Sequence, residues 1–288
     1  MQRLPLPPHA TGLDGFVGRK GALAIADYDH TAVFMSDADG TWIWPNASSS
    51  ASKLRSLGGL QFSSSNELWI TDPDDSRIHV FDETLQLLRS VSTSVPLRSV
   101  SPVRLGDGFL GNSDRAGELV GVFSASGAQI ASIPLPVDLR TKHPATLERF
   151  LARVNDSLTT VQFRWYPRLI AVRNSGEIQY NIGVADVEPQ LLQIPLGGRG
   201  SFALRIAPSE REKCVAIAVK GDTLLMLKGG SDSSLFARRI VRFEVRSGKL
   251  IDSSVVPTPL SRLAATSRGV FGLVDNENGY ALSKIRWK

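Results

Sequence analysis

A six-bladed β-propeller is the fold predicted for this 288-residue chain: all-β, with four-stranded antiparallel blades, an N-terminal strand closing the last blade, and one short helical insertion. Three observations predict it. A strand-turn-strand phrase, clearest from Leu68-Trp69-Ile70-Thr71-Asp72 to Arg77-Ile78-His79-Val80-Phe81-Asp82, recurs about six times, and repeats of roughly 40–50 residues holding four short strands are how a propeller is encoded. The turns in these phrases are built from Asp, Asn, Gly and Pro, which supply the positive or preset φ of tight turns. The last segment, from Leu263 to Lys288, has room for only three strands, while Gln2-Arg3-Leu4-Pro5-Leu6-Pro7 resembles the outermost strands of other blades.

The blades are justified in order by their second strands. These are Ala22–Ala26, Leu68–Thr71, Phe109–Asn112, Leu169–Val172, Thr223–Leu227 and Val270–Val274. Each is followed by a polar turn, as in Asp27-Tyr28-Asp29-His30 and Gly229-Gly230-Ser231-Asp232. Third strands such as Ile78–Phe81, Leu119–Phe123 and Ile240–Val245 lead into second hairpins at Ser126-Gly127 and Ser247-Gly248. Gln129–Pro136 and Gln190–Leu196 read as outermost strands. Residues 2–6 are expected to supply the fourth strand of blade six, removing exposed sheet edges. One closed domain spanning 1–288 is expected, because a single blade cannot bury its own faces.

Two swellings interrupt the repeat, at 137–155 and 197–212. Leu147, Phe150, Leu151 and Val154 fall at i, i+3, i+4 and i+7 behind Pro144, which predicts a short amphipathic helix over the propeller mouth. The second swelling holds Gly197-Gly198-Arg199-Gly200-Ser201 and Ser209-Glu210-Arg211-Glu212. In an a-b-c-d meander the b-c and d-a loops share one face. The sequence puts Asp27, Asp72, Asp114, Asp232 and Asp275 on that face, and Arg19, Lys20, Arg168, Lys220, Arg246, Lys249 and Arg268 on the other.

From Trp69 to Asp82 the chain resembles the NHL-repeat type of six-bladed propeller, in which a strand ending in Asp is followed by Arg-Ile-x-Val-Phe-Asp. The resemblance implies the fold and blade count, and structural duty for Asp72 and Arg77. It does not imply an activity, because propellers host enzymes and scaffolds alike.

Other chemistry is sparse. G-x-S-x-G, C-x-x-C, H-E-x-x-H and Walker motifs are absent. The lone Cys214 forms no intramolecular disulfide and leaves the compartment open; an extracytoplasmic or periplasmic location is favoured if a leader was removed before Met1. The net charge of +5 comes from scattered basic residues without interleaved aromatics, which argues against nucleic acid, and no apolar run reaches the roughly 18 residues of a membrane span.

Two functions are open. In the first, a non-enzymatic binding or scaffold propeller without a cofactor recognises a protein, peptide or glycan on the mouth face. Arg149, Phe150, Arg153, Arg199 and Arg211 are its contact candidates, since Arg and aromatics dominate hot spots. The alternative is a metal-dependent hydrolase or lactonase, as in propellers similar to gluconolactonases, with Asp27, Asp72, Asn112 and Asp275 around a divalent cation acting as a Lewis acid. Leu13-Asp14-Gly15-Phe16 lacks the glutamate motif of such enzymes.

Overall fold

The computed structural model describes residues 2–4, 6, 7, 11–36, 41–43, 54–102, 108–113, 115–183, 189–195, 202–229, 236–276 and 279–287. Among these, six four-stranded antiparallel sheets and one separate two-stranded hairpin form. Blades one to three run from Leu13–Arg19 to Trp42–Ile43, from Leu60–Phe62 to Leu87–Ser92, and from Ser99–Pro102 to Gln129–Pro134. Blade four runs from Arg149–Arg153 to Ile178–Gly183, and blade five from Cys214–Lys220 to Leu250–Val255. Blade six contains Arg262–Thr266, Gly269–Asn276 and Gly279–Ile285, and Gln2–Leu4 is its fourth strand. Gln2, Arg3 and Leu4 pair antiparallel with Lys284, Ser283 and Leu282, so the ring closes as expected.

Strand alternation explains how the blades stack. Leu68 and Ile70 face blade one, packing with Ala24, Ala26 and Met35, whereas Trp69 faces blade three. There its ring meets the edge of Phe109 at 5.8 Å, and Phe109 stacks on Phe123 at 5.1 Å. Side chains of this size each contribute about 1.5–3 kcal/mol when fully buried. Central strands buried on both faces therefore glue consecutive blades.

Blade four departs from the sequence reading. Leu169–Val172 lies in its third strand, Arg168–Arg173, and its second strand is Leu158–Phe163. Asn174-Ser175-Gly176 is consequently the outer hairpin, with Gly176 at φ +89°, and Arg168 starts from the mouth face, where its guanidinium pairs with Asp138. Gln190–Leu196 is also reassigned. Leu191–Pro195 pairs with Phe202–Ile206 in the separate hairpin, outside the four strands of blade four.

The 137–155 insertion does carry a short helix, but at Val137–Arg140, followed by a 3-10 turn at Pro144–Leu147. Arg149–Arg153 is the innermost strand of blade four. The apolar positions that matched a helix also satisfy a strand with two buried faces. Leu151 packs with Val161 and Phe163, while Phe150 and Val154 pack beside Leu158, Leu169 and Cys214. No helix among the described residues is long and apolar enough to cross a membrane.

Candidate functional site

The innermost strands line a central channel. Their first residues come from the d-a connections, so all six blades contribute to a cavity of about 350 Å³ at the mouth-face opening. Phe16, Leu60, Arg98, Phe150, Ile217 and Arg262 represent the six blades on its wall. Closeness here depends on glycine. A Cβ on Gly58 would lie 2.1 Å from the Thr71 hydroxyl and 2.9 Å from the Arg98 carbonyl, where the Gly59 N–H donates at 2.6 Å. The Tyr28 hydroxyl donates to the Gly58 carbonyl at 2.7 Å, and burial pushes its pKa up to about 12, so it remains a neutral donor.

Arg164 organises one side of the opening. Its Nη1 donates to Glu148 Oε1 at 3.0 Å and its Nε to Glu212 Oε1 at 2.5 Å, while Trp165 Nε1 donates to Glu148 Oε2 at 3.0 Å. Burial pushes the Glu212 carboxyl upward against the opposing pull of Arg164. Burial lowers the pKa of Arg262, whose Nη1 donates to the Ser261 carbonyl at 2.5 Å. The cavity wall thus carries Arg98, Arg164 and Arg262, with Glu148 occupied by Arg164 and Trp165.

The acidic residues on this face do other work. Asp27 is fully buried and accepts from the backbone N–H groups of Thr11, Asp29 and His30 at 3.1–3.3 Å, with the His30 ring at 3.0 Å. Asp72 is 1% exposed and accepts from Arg55 N, Ser56 N, Ser56 Oγ and Asp75 N at 2.8, 3.1, 2.9 and 3.4 Å. Each carboxylate ties a b-c turn to the incoming d-a connection. Arg77 pairs with Asp75 at 3.1 Å, a turn contact of the kind the NHL resemblance implies. Asn112 donates to the Arg149 carbonyl at 3.0 Å, and Asp275 is exposed near the end of the strand Gly269–Asn276. Asp27 and Asp72 are therefore engaged in separate turns and Asn112 with blade four, and among the described residues no group of three His, Cys, Asp or Glu could hold a metal ion.

The five contact candidates are dispersed. Phe150 and Arg149 both border the mouth cavity. Arg149 is buried between blades: its Nη2 donates to the Ser113 and Glu118 carbonyls at 2.9 and 3.0 Å, and its Nη1 to Leu147 at 3.2 Å. Arg153 sits four residues along the same strand, roughly 13 Å away at about 3.3 Å per residue, and lines the opposite opening. Arg211 is exposed, with its guanidinium 5.5 Å from the Phe236 ring, and Arg199 lies outside the described residues, as do Asp114 and Asp232. Sequence reasoning missed Arg98, Arg164 and Arg262. Arg98 immediately precedes an innermost strand and Arg262 begins one, a signal visible only once those strands are located.

No family model matches the chain, and no curated protein matches it. Solved structures do. Virginiamycin B lyase from Staphylococcus aureus is similar over all of this chain and 89% of its own, with 17% identity and a TM-score of 0.56. A streptogramin B lyase is 11% identical over all of this chain and 87% of its own, TM-score 0.58. The Swd1 β-propeller domain of Myceliophteria thermophila is 9% identical over 99% of both chains, TM-score 0.55. At these identities the likeness shows the propeller fold, shared by proteins named as enzymes and by a propeller domain that is not.

Proposed function

We propose that this protein is a non-enzymatic binding propeller that recognises a protein, peptide or glycan on its mouth face and seats an acidic group of that ligand in the channel opening. The observation that carries the reading is the six-blade cavity, with apolar walls at Phe16, Leu60 and Phe150 and guanidinium groups at Arg98, Arg164 and Arg262. Pockets of this kind, apolar with a few placed polar groups, are the usual form of a ligand site. Immobilised peptides and glycans, with and without carboxylate or sulfate groups, provide the test. Binding of acidic members should fall at least tenfold in the exposed Arg98→Ala, with an unchanged melting temperature, and in Phe150→Ala, whose lost packing against Leu158 and Leu169 also lowers its melting temperature. Binding indifferent to both variants would place recognition elsewhere. The hydrolase alternative remains distinguishable by metal content, since only that reading requires a stoichiometric divalent ion.

A further inference from the structure

The opposite end of the channel holds a second cavity, of about 420 Å³, formed where the innermost strands turn into the second strands. Its described lining comes from five blades and includes Arg19, Lys20, Arg153 and Lys220, against the single carboxylate of Asp156. Arg19 is held in place by an Nη2 hydrogen bond to the Ser64 carbonyl at 2.7 Å. Its Nη1 is buried and, among the described residues, has no hydrogen-bond partner. Leaving a buried charged donor unmatched costs more than an ordinary lost hydrogen bond. Arg153 adds to the strain: its Nε donates to the Pro102 carbonyl at 3.1 Å and its Nη2 pairs with Asp156, but its charge still opposes that of Arg19. Burial, then the Arg153 charge, lowers the pKa of Arg19, with Asp156 opposing both.

The chain geometry brings these groups together. Gly18 lets blade one press against blade six, since a Cβ there would lie 2.6 Å from the Ala265 carbonyl. Ser267 then bonds back to the Lys20 carbonyl through its hydroxyl at 2.7 Å, fixing the tight turn in which Lys20 has φ +46°. The result is a concave and, among the described residues, mainly cationic opening.

We propose that this opening is an oxyanion site for the phosphate group of a small phosphate monoester, with the Arg19 guanidinium on its inner wall and Lys20 and Lys220 closing the rim. A phosphate dianion has oxygens enough to meet the inner guanidinium and the rim ammonium groups together, and charge-assisted bonds of this type are about twice as strong as neutral ones. A carboxylate offers two oxygens to the same set.

The experiment is calorimetric titration of the full chain with inorganic phosphate and with phenyl phosphate, beside acetate and citrate. Saturable binding of both phosphates is expected, at least tenfold weaker in Arg19→Gln and several-fold weaker in the exposed Lys220→Gln, and unchanged in the mouth variant Arg98→Ala. Lys220→Gln keeps the test decisive if Arg19→Gln does not fold. Absence of saturable phosphate binding, preference for acetate or citrate, or phosphate binding insensitive to Lys220→Gln would each overturn the proposal. Loss in Arg98→Ala would assign the phosphate to the mouth instead and also overturn it.

Discussion

Replacing Asp72 by Ala should destabilise the protein by about 3 kcal/mol. Four donors converge on that buried carboxylate, and the two shortest contacts, from Arg55 N at 2.8 Å and Ser56 Oγ at 2.9 Å, set the scale. A hydrogen bond to a charged group contributes about 1.5–3 kcal/mol net, and water can replace part of that at the exposed Arg55 and half-buried Ser56 positions. The 3.4 Å contact from Asp75 adds little. At about 2.1 cal/mol/K of unfolding entropy per residue, a chain of this length shifts by about 5 °C for 3 kcal/mol. Scanning calorimetry reads the shift. Asp74→Ala, on the same turn but exposed, should move the melting temperature by about 1 °C or less, and Asp72→Asn, retaining one acceptor oxygen, should fall between. Because Arg55 and Ser56 lead into the Leu57–Leu60 wall of the mouth cavity, hydrogen exchange at 55–59 should rise in Asp72→Ala. A melting temperature within about 1 °C of wild type for Asp72→Ala would refute the anchoring role assigned from these contacts.

Deleting residues 1–8 removes the pairing of Gln2–Leu4 with Leu282–Lys284 and exposes the edge of Gly279–Ile285, so melting should drop by several degrees and aggregation on heating should increase; an unchanged transition rejects the closure. Cys214 is fully buried and burial pushes its thiol pKa up, so a disulfide-exchange reagent should find no reactive thiol in the folded chain and one after unfolding. The hydrogen bond and charge of Asp27 raise the pKa of His30 above its ordinary 6.5. The contact therefore stabilises fully below that ordinary pKa and is lost as pH rises through the higher folded value. An NMR titration should show the raised midpoint in wild type and its return toward 6.5 in Asp27→Asn; equal midpoints in the two proteins would remove Asp27 as the cause.

Much of the ring was legible because turn chemistry marks the b-c hairpins of most blades. Asp72-Pro73-Asp74-Asp75 and Asp27-Tyr28-Asp29-His30 announce themselves by residues suited to tight turns and by carboxylates that bond backbone N–H groups nearby. Blade four is the exception that explains the rule. Its b-c turn is Arg164-Trp165-Tyr166-Pro167, without Asp, Asn or Gly, whereas its c-d turn is Asn174-Ser175-Gly176. The familiar signal therefore fell one hairpin late. Leu158-Thr159-Thr160-Val161-Gln162-Phe163, a β-branched run buried along its whole length, was the available clue to the missing strand. The channel wall was harder to find because several of its innermost strands, such as Leu60–Phe62 and Ser99–Pro102, are short and largely buried. In Arg149–Arg153 the two faces together match helical spacing as well as they match a strand, and five residues are too few for periodicity to decide.

The charge layout follows from how the acids are used. Turn preference puts carboxylates on the mouth face, but Asp27 and Asp72 are consumed as backbone acceptors, and Glu148 and Glu212 are held by Arg164. Among the described residues the channel ends carry Arg98 and Arg262 at the mouth, and Arg19, Lys20 and Lys220 beside the one carboxylate of Asp156 at the far opening. An anion entering either opening meets a guanidinium already bonded to a backbone carbonyl, Arg262 to Ser261 at the mouth and Arg19 to Ser64 at the far end. A divalent cation meets like charge, and to gain ligands it would have to draw Asp27 or Asp72 away from the turns they tie down. The energy opposing that withdrawal is on the scale that Asp72→Ala measures. A near-neutral substitution would leave that carboxylate free to move toward a metal, while the expected loss of about 3 kcal/mol would oppose such a movement.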